Sequence, residues 1–182
     1  MFYNGDAVET IREKITATVV PGFEIGWGGE SAYVALVESF LYDFRGLISV
    51  GRASEALDLI EWTIRKLESN WDRVESDGIL LPRLLLELQD YHLKACREVK
   101  PDPIELARHL FDWATTSEHR VFENAPKTHA EVLGIDGLNE LGRLAAEGTA
   151  LIPAEITADD RWKNGDRYEL LKTWAEALNP RR

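Results

Sequence analysis

Cysteine is almost missing from this sequence: Cys96 stands alone among 182 residues. One thiol excludes an internal disulfide framework and makes a reducing, cytoplasmic setting the expectation. Long hydrophobic runs are missing too. No stretch approaches the roughly 20 apolar residues that a membrane helix needs. Asp6, Glu9 and Glu13 interrupt the N-terminal region, so no signal peptide is expected either. Positive charge is scarce: 21 Lys and Arg face 32 Asp and Glu, for a net charge of −11. Residues 1–91 carry 8 basic and 16 acidic side chains, against 13 and 16 in residues 92–182, so the first half is the more acidic. Such a surface repels phosphate backbones and anionic lipid, and neither nucleic acid nor a membrane is expected as a partner. The chain also lacks a Walker lysine, a full dinucleotide fingerprint and a nucleophile elbow. Hence no cofactor and no catalytic residue is named from motifs.

What is present is a repeated cadence of amphipathic helix, short break and amphipathic helix. The hydrophobic share of 45% and the charged share of 29% are those of an ordinary globular chain. Asp6 with Glu9 marks a helix start, and that helix ends before Pro21. Residues 21–29, PGFEIGWGG, are the least helical stretch. A second helix is predicted over 30–49, with Tyr33, Leu36, Val37, Phe40, Phe44, Leu47 and Ile48 on its stripe. A third runs over 53–74 and carries Ala56, Leu57, Ile60, Ile64, Leu67 and Trp71. A fourth, over 79–99, aligns Leu81, Leu84, Leu85, Leu88, Tyr91, Ala95 and Val99, with Pro82 tolerated in its first turn.

The clearest punctuation follows. In KPDPIELARHLFDWA, Asp102 is placed to cap a fifth helix, Pro103 to open it and Glu105 to complete the cap. Two helices joined by about four residues must fold back on each other. Residues 118–134 are predicted as shorter helices broken near Pro126, with Gly134 as a stop. Another helix covers 137–151, its stripe including Leu138, Leu141, Leu144, Ala145 and Leu151. The expected fold is all-α: antiparallel helical hairpins stacked as a degenerate right-handed solenoid, TPR-like without a strict repeat period. Residues 1–152 are expected to form the helical-repeat domain and 153–166 a polar linker. Residues 167–182 then form a C-terminal helix, open to being the start of a further repeat.

Four strings stand in order: ESDG (75–78), LQDYHLKACREVKPDPIELARHLFDW (88–113), VFENAPKTHAEVLGIDGLNELGRLA (121–145) and RYELLKTWAEAL (167–178). Over residues 23–178 the chain resembles a family of bacterial helical-repeat proteins known only as a domain of unknown function. The resemblance implies a section, or a short version, of a longer helical array. Its strings are packing and turn residues, so it implies no catalytic residue. Some relatives carry a zinc-binding SWIM segment, but no Cys-x-Cys exists here, and that association does not transfer.

Several constellations bear on chemistry. His92 and Cys96 share a helix face at i and i+4, the spacing of helical metal-ligand pairs, and His109 on the next helix is a third candidate. The plainer reading is that Cys96 is a small buried apolar residue and His92 a core-edge residue bonded to backbone. GFEIGWGGES places glycines before a helix, where backbone N–H groups could face an anion; the simpler reading is a turn. The acidic pairs Asp58 with Glu61, and Glu87 with Asp90, are read as solvated faces. Trp62 lies off the main stripe of its helix, suited to packing or to lining a binding face. Tyr33, Trp62 and Tyr91 together could line a ligand-sensing pocket.

The reading of function is a non-catalytic protein–protein interaction or scaffold module with a protein partner of unknown identity. The alternative is a metal-dependent or other enzyme using His92, Cys96 and His109. Trp62, Leu171 and Trp174 are the candidate partner-binding residues. The last two belong to a C-terminal stripe that no further helix could cover, and Val8, Ile11, Ile15 and Val19 pose the same question at the other end. Self-association as a homodimer is therefore expected, unless the last helix folds back and satisfies its stripe internally.

Overall fold

The computed structural model describes residues 5–22, 24–76 and 78–178. Among these residues the chain is all-α, and its only β pairing is an isolated parallel bridge between Ile25 and Val74. No helix among the described residues is long and apolar enough to cross a membrane. The chain divides into one compact unit ending at Val99 and another beginning at Lys100. That division falls between the fourth and fifth predicted helices.

The first unit holds α1 (Gly5–Val19), α2 (Glu30–Glu38), α3 (Phe40–Ser49), α4 (Ala53–Glu68) and α5 (Leu80–Val99). The Asp6 side chain, the expected cap of α1, lies outside the described residues. α4 packs on α1, α3 and α5, and α2 and α3 pack on α5. The core uses the predicted stripes: Ile15, Val19, Val37, Phe44, Ile60, Ile64, Leu84 and Leu88 are fully buried. The predicted helix over 30–49 is interrupted at Ser39, whose Oγ donates to the Leu36 carbonyl oxygen at 2.6 Å. A hydroxyl competing for a helical carbonyl bends the ladder. After that bend Leu36 is exposed, not in the core. The helix predicted to reach Val74 stops at Glu68 because Asn70 Nδ2 and Ser69 Oγ donate to the Lys66 carbonyl oxygen, at 2.9 and 3.2 Å. Trp71 sits in a short 3-10 turn, Trp71–Arg73, and Leu59 takes the fully buried place expected of Leu57.

Residues 24–29 form a loop stitched to the segment after that turn. Ile25 N donates to the Arg73 carbonyl oxygen (2.7 Å) and Glu75 N to that of Ile25 (2.8 Å). Trp27 N donates to Glu75 Oε2 at 2.9 Å. The glycine-rich loop does present an N–H to an anion, and the anion is the protein's own carboxylate.

The second unit holds α6 (Pro103–Thr116), a single turn α7 (Ala125–Thr128), α8 (Ala130–Ala150) and α9 (Ala158–Leu178). α8 is central and packs on both α6 and α9. Asp102 caps α6 as expected: its Oδ1 accepts from Ile104 N and Glu105 N, both at 3.0 Å. Asp102→Ala is expected to cost about 1 kcal/mol, read as a shift of the thermal midpoint. An unchanged midpoint would contradict the cap's role.

Gly134 breaks α8 with φ 55° and ψ −164°, backbone that a side chain resists. Beyond it Leu141 and Ala145 are buried, whereas Leu151, placed on the predicted stripe, is 83% exposed. The 153–166 linker is helical from Ala158. Thr157 Oγ1 accepts from Asp160 N at 3.1 Å, and Lys163 and Asn164 reach back to Asp159 and Asp160, each at 2.9 Å. A cap and i,i+4 polar pairs sustain a helix that has no apolar stripe there.

On the α6–α8 surface Glu140 accepts from Arg143 and Arg108 at 2.8 Å, and these two hydrogen bonds lower its pKa from 4.5 to about 2. A carboxyl depressed in the folded state contributes stability above its unfolded pKa and loses it as pH falls toward 2. Glu140→Gln should therefore flatten the acid limb of a stability–pH curve below about pH 5 and leave the alkaline limb unchanged. Equal slopes in both proteins would contradict the assignment.

Candidate functional site

α4 and α5 bring together one group of chemical interest. His92, on the α4-facing side of α5, has Nε2 3.4 Å from Glu61 Oε1 on α4. Its Nδ1 is 3.7 Å from Cys96 Sγ, one turn on. The order carboxylate–imidazole–thiol is that of an activated nucleophile, but the environment is opposite. His92 and Cys96 are both fully buried. Burial, and then the nearby negative charge of Glu61, pushes the Cys96 thiol up to about 12. At neutral pH the sulfur is a protonated core atom inside a hydrogen-bonded chain, not an attacking thiolate. Native Cys96 should therefore stay silent toward a thiol-reactive disulfide reagent at pH 8 and react fully once urea unfolds the chain. Rapid native reaction would contradict this.

His109 lies on α6 of the second unit. Its ring meets Trp113 edge-on, with centroids 5.5 Å apart, and Trp113, Phe122 and His129 continue the edge-to-face series. Among the described residues no group of three His, Cys, Asp or Glu side chains could hold a metal ion. His92 and Cys96 are thus buried together in the first unit, while His109 is half-buried against Trp113 in the second.

The other candidates are also accounted for within their units. Leu171 and Trp174 are buried, not presented to solvent. Trp174 Nε1 donates to the Glu123 carbonyl oxygen at 2.9 Å, and Leu171 fills the space over Gly148. α9 packs on α8, which covers this part of the stripe. At the other end Ile11, Ile15 and Val19 are buried as well. Most of both stripes that motivated a homodimer is thus covered in cis, with Val8, Tyr168 and Leu178 half-buried. Trp62 is half-buried against α1: its Nε1 is 3.4 Å from Thr16 Oγ1, and the Arg12 and Lys66 cations lie 5.5 and 4.4 Å from its ring. Tyr33 is buried and donates to the Val19 carbonyl oxygen at 2.9 Å, and burial pushes its hydroxyl up to about 12.

Of the three proposed pocket aromatics, Tyr91 lines an open cleft. This cleft lies between α3 and α5, has a volume of about 470 Å3, and is lined by Arg45 and Ile48 from α3 and by Tyr91, Lys94, Arg97 and Glu98 from α5. Spacings of three and four residues put each set on one helix face. Ile48 and Tyr91 form a half-buried floor and the charged groups an exposed rim. Lys94 Nζ stands 4.2 Å above the Tyr91 ring. Three cations against one carboxylate is a local reversal, because the first unit as a whole has 10 basic and 17 acidic side chains. Sequence reasoning placed Ile48 and Tyr91 in core stripes, and nothing in the sequence reported that the two basic faces meet. In the second unit, a cleft of about 300 Å3 is lined by residues that include Ser117, Arg120, Glu123 and Asp166. There Arg120 pairs with Asp166 (3.5 Å) and Glu123 (4.0 Å).

No family model matches the chain, and neither the curated proteins nor the solved structures contain a significant match.

Proposed function

We propose that this protein is a non-catalytic interaction or scaffold module, working in the reducing cytoplasm, that holds a protein partner in the cleft between α3 and α5. The proposal keeps the stacked right-handed hairpin array, and the kinship to the bacterial helical-repeat family, as its structural frame. The observation that carries it is the cleft itself: an open groove with an aromatic and aliphatic floor and a rim whose charge opposes that of the rest of its unit. Aromatic floors with polar rims are the usual anatomy of a binding surface. The closed Glu61–His92–Cys96 chain supports the same side of the choice, since a buried protonated thiol offers a substrate nothing to meet.

The test is capture from native lysate with the wild-type chain and with the double variant Ile48→Ala/Tyr91→Ala, after circular dichroism shows equal helix content. A partner held by the wild type and lost by the variant supports the cleft. Equal retention by both moves the function elsewhere. Stoichiometric zinc in the purified chain would instead favour the enzyme built on His92, Cys96 and His109.

A further inference from the structure

We infer that the occupant of the α3–α5 cleft is a short acidic peptide segment of the partner, with one apolar side chain seated on Ile48 and Tyr91. The inference rests on the cleft being the binding surface and adds the chemistry of what binds there.

Charge complementarity selects the occupant. Arg45, Lys94 and Arg97 ring the groove and Glu98 is its one lining carboxylate, so a cationic or neutral segment would forgo most of what the rim offers. Length is limited by the surroundings. A chain carrying −11 overall repels a polyanion wherever it runs past the three cations, which disfavours an extended nucleic acid and favours a segment with charges confined to the cleft. A lone small anion would remain in water between exposed side chains and would gain little, because screening weakens exposed pairs. A peptide also covers the half-buried Ile48 and Tyr91 surface, a contact that salt does not screen. Arg and Tyr are, moreover, the residue types that concentrate binding energy at interfaces.

The test uses fluorescence anisotropy with the full chain and labelled peptides of about eight residues. One is built of Glu and Asp around a single Leu and Phe. The others have the acids replaced by Gln or by Lys, and a labelled oligothymidine of similar length is the nucleic-acid arm. The acidic peptide should bind at least about tenfold tighter than its Gln counterpart at low salt and lose most of that margin at about 0.5 M salt. Arg45→Glu and Lys94→Glu, both at exposed positions, should each weaken it by about tenfold, and Glu98→Gln should tighten it.

Equal binding of the acidic and Gln peptides, or indifference to Arg45→Glu and Lys94→Glu, would overturn the inference. If in that case Ile48→Ala/Tyr91→Ala still released the Gln peptide, the cleft would stand as the binding surface and only its charge preference would fall. Tighter binding of the oligothymidine, or concentration-dependent self-association that Lys94→Glu abolishes, would overturn it by naming another occupant.

Discussion

Leu85→Ala is expected to lower the stability of the first unit by about 2–5 kcal/mol. Leu85 is 2% exposed on α5, the helix against which α2, α3 and α4 all pack. Removing its isobutyl group forfeits the transfer free energy of the lost carbons and leaves a void that several helices would have to shift to fill. Against a typical total of about 5–15 kcal/mol, such a loss is large. Glu13→Ala, on the exposed face of α1, should move stability by less than about 0.5 kcal/mol. Urea unfolding followed by circular dichroism ranks the two. The reverse order would mean that the buried face of α5 is misassigned.

Gly137→Leu should cost about 3 kcal/mol, the upper end of what overpacking does. At Gly137 an added Cβ would lie 2.8 Å from the Pro103 carbonyl oxygen and 2.9 Å from Leu133 Cδ2. The first neighbour is backbone at the start of α6, so relief requires separating α6 from α8. Gly165 in α9 makes the comparison: its nearest neighbour to an added Cβ is Arg161 Cγ at 3.7 Å, ordinary contact. Gly165→Ala should therefore stabilise, by up to about 1 kcal/mol, through helix propensity alone. Opposite signs in thermal unfolding would show that close approach, not glycine as such, decides. A stabilised Gly137→Leu would contradict the packing of α6 on α8.

What was legible in the sequence was whatever a 3.6-residue period or a local cap records. The core faces of α4 and α5 and the Asp102 cap are of that kind. Three departures had local causes with quiet signals. Ser39 bends a helix by taking a carbonyl, Ser69 and Asn70 end another the same way, and Thr157 with Asp160 starts a helix whose first half is polar. The C-terminus was misread for another reason: no spacing in the sequence records that α9 packs on α8 and so covers Leu171 and Trp174. The candidate site was not legible, because it exists only where a face of α3 meets a face of α5. Arg45 and Lys94 are 49 positions apart in sequence, and no spacing rule links them. The His92–Cys96 pair was visible as a spacing, but its burial, which decides its chemistry, depends on α4 supplying Glu61.

The central claim is that the α3–α5 cleft is where this protein meets its partner. It is tested most directly by mapping amide shifts across the labelled chain as the acidic peptide is added. The account predicts perturbations centred on Arg45, Ile48, Tyr91, Lys94, Arg97 and Glu98, growing along one saturation curve that moves to about tenfold higher peptide in Lys94→Glu. Perturbations centred on the second unit, or no saturable change at millimolar peptide, would contradict it.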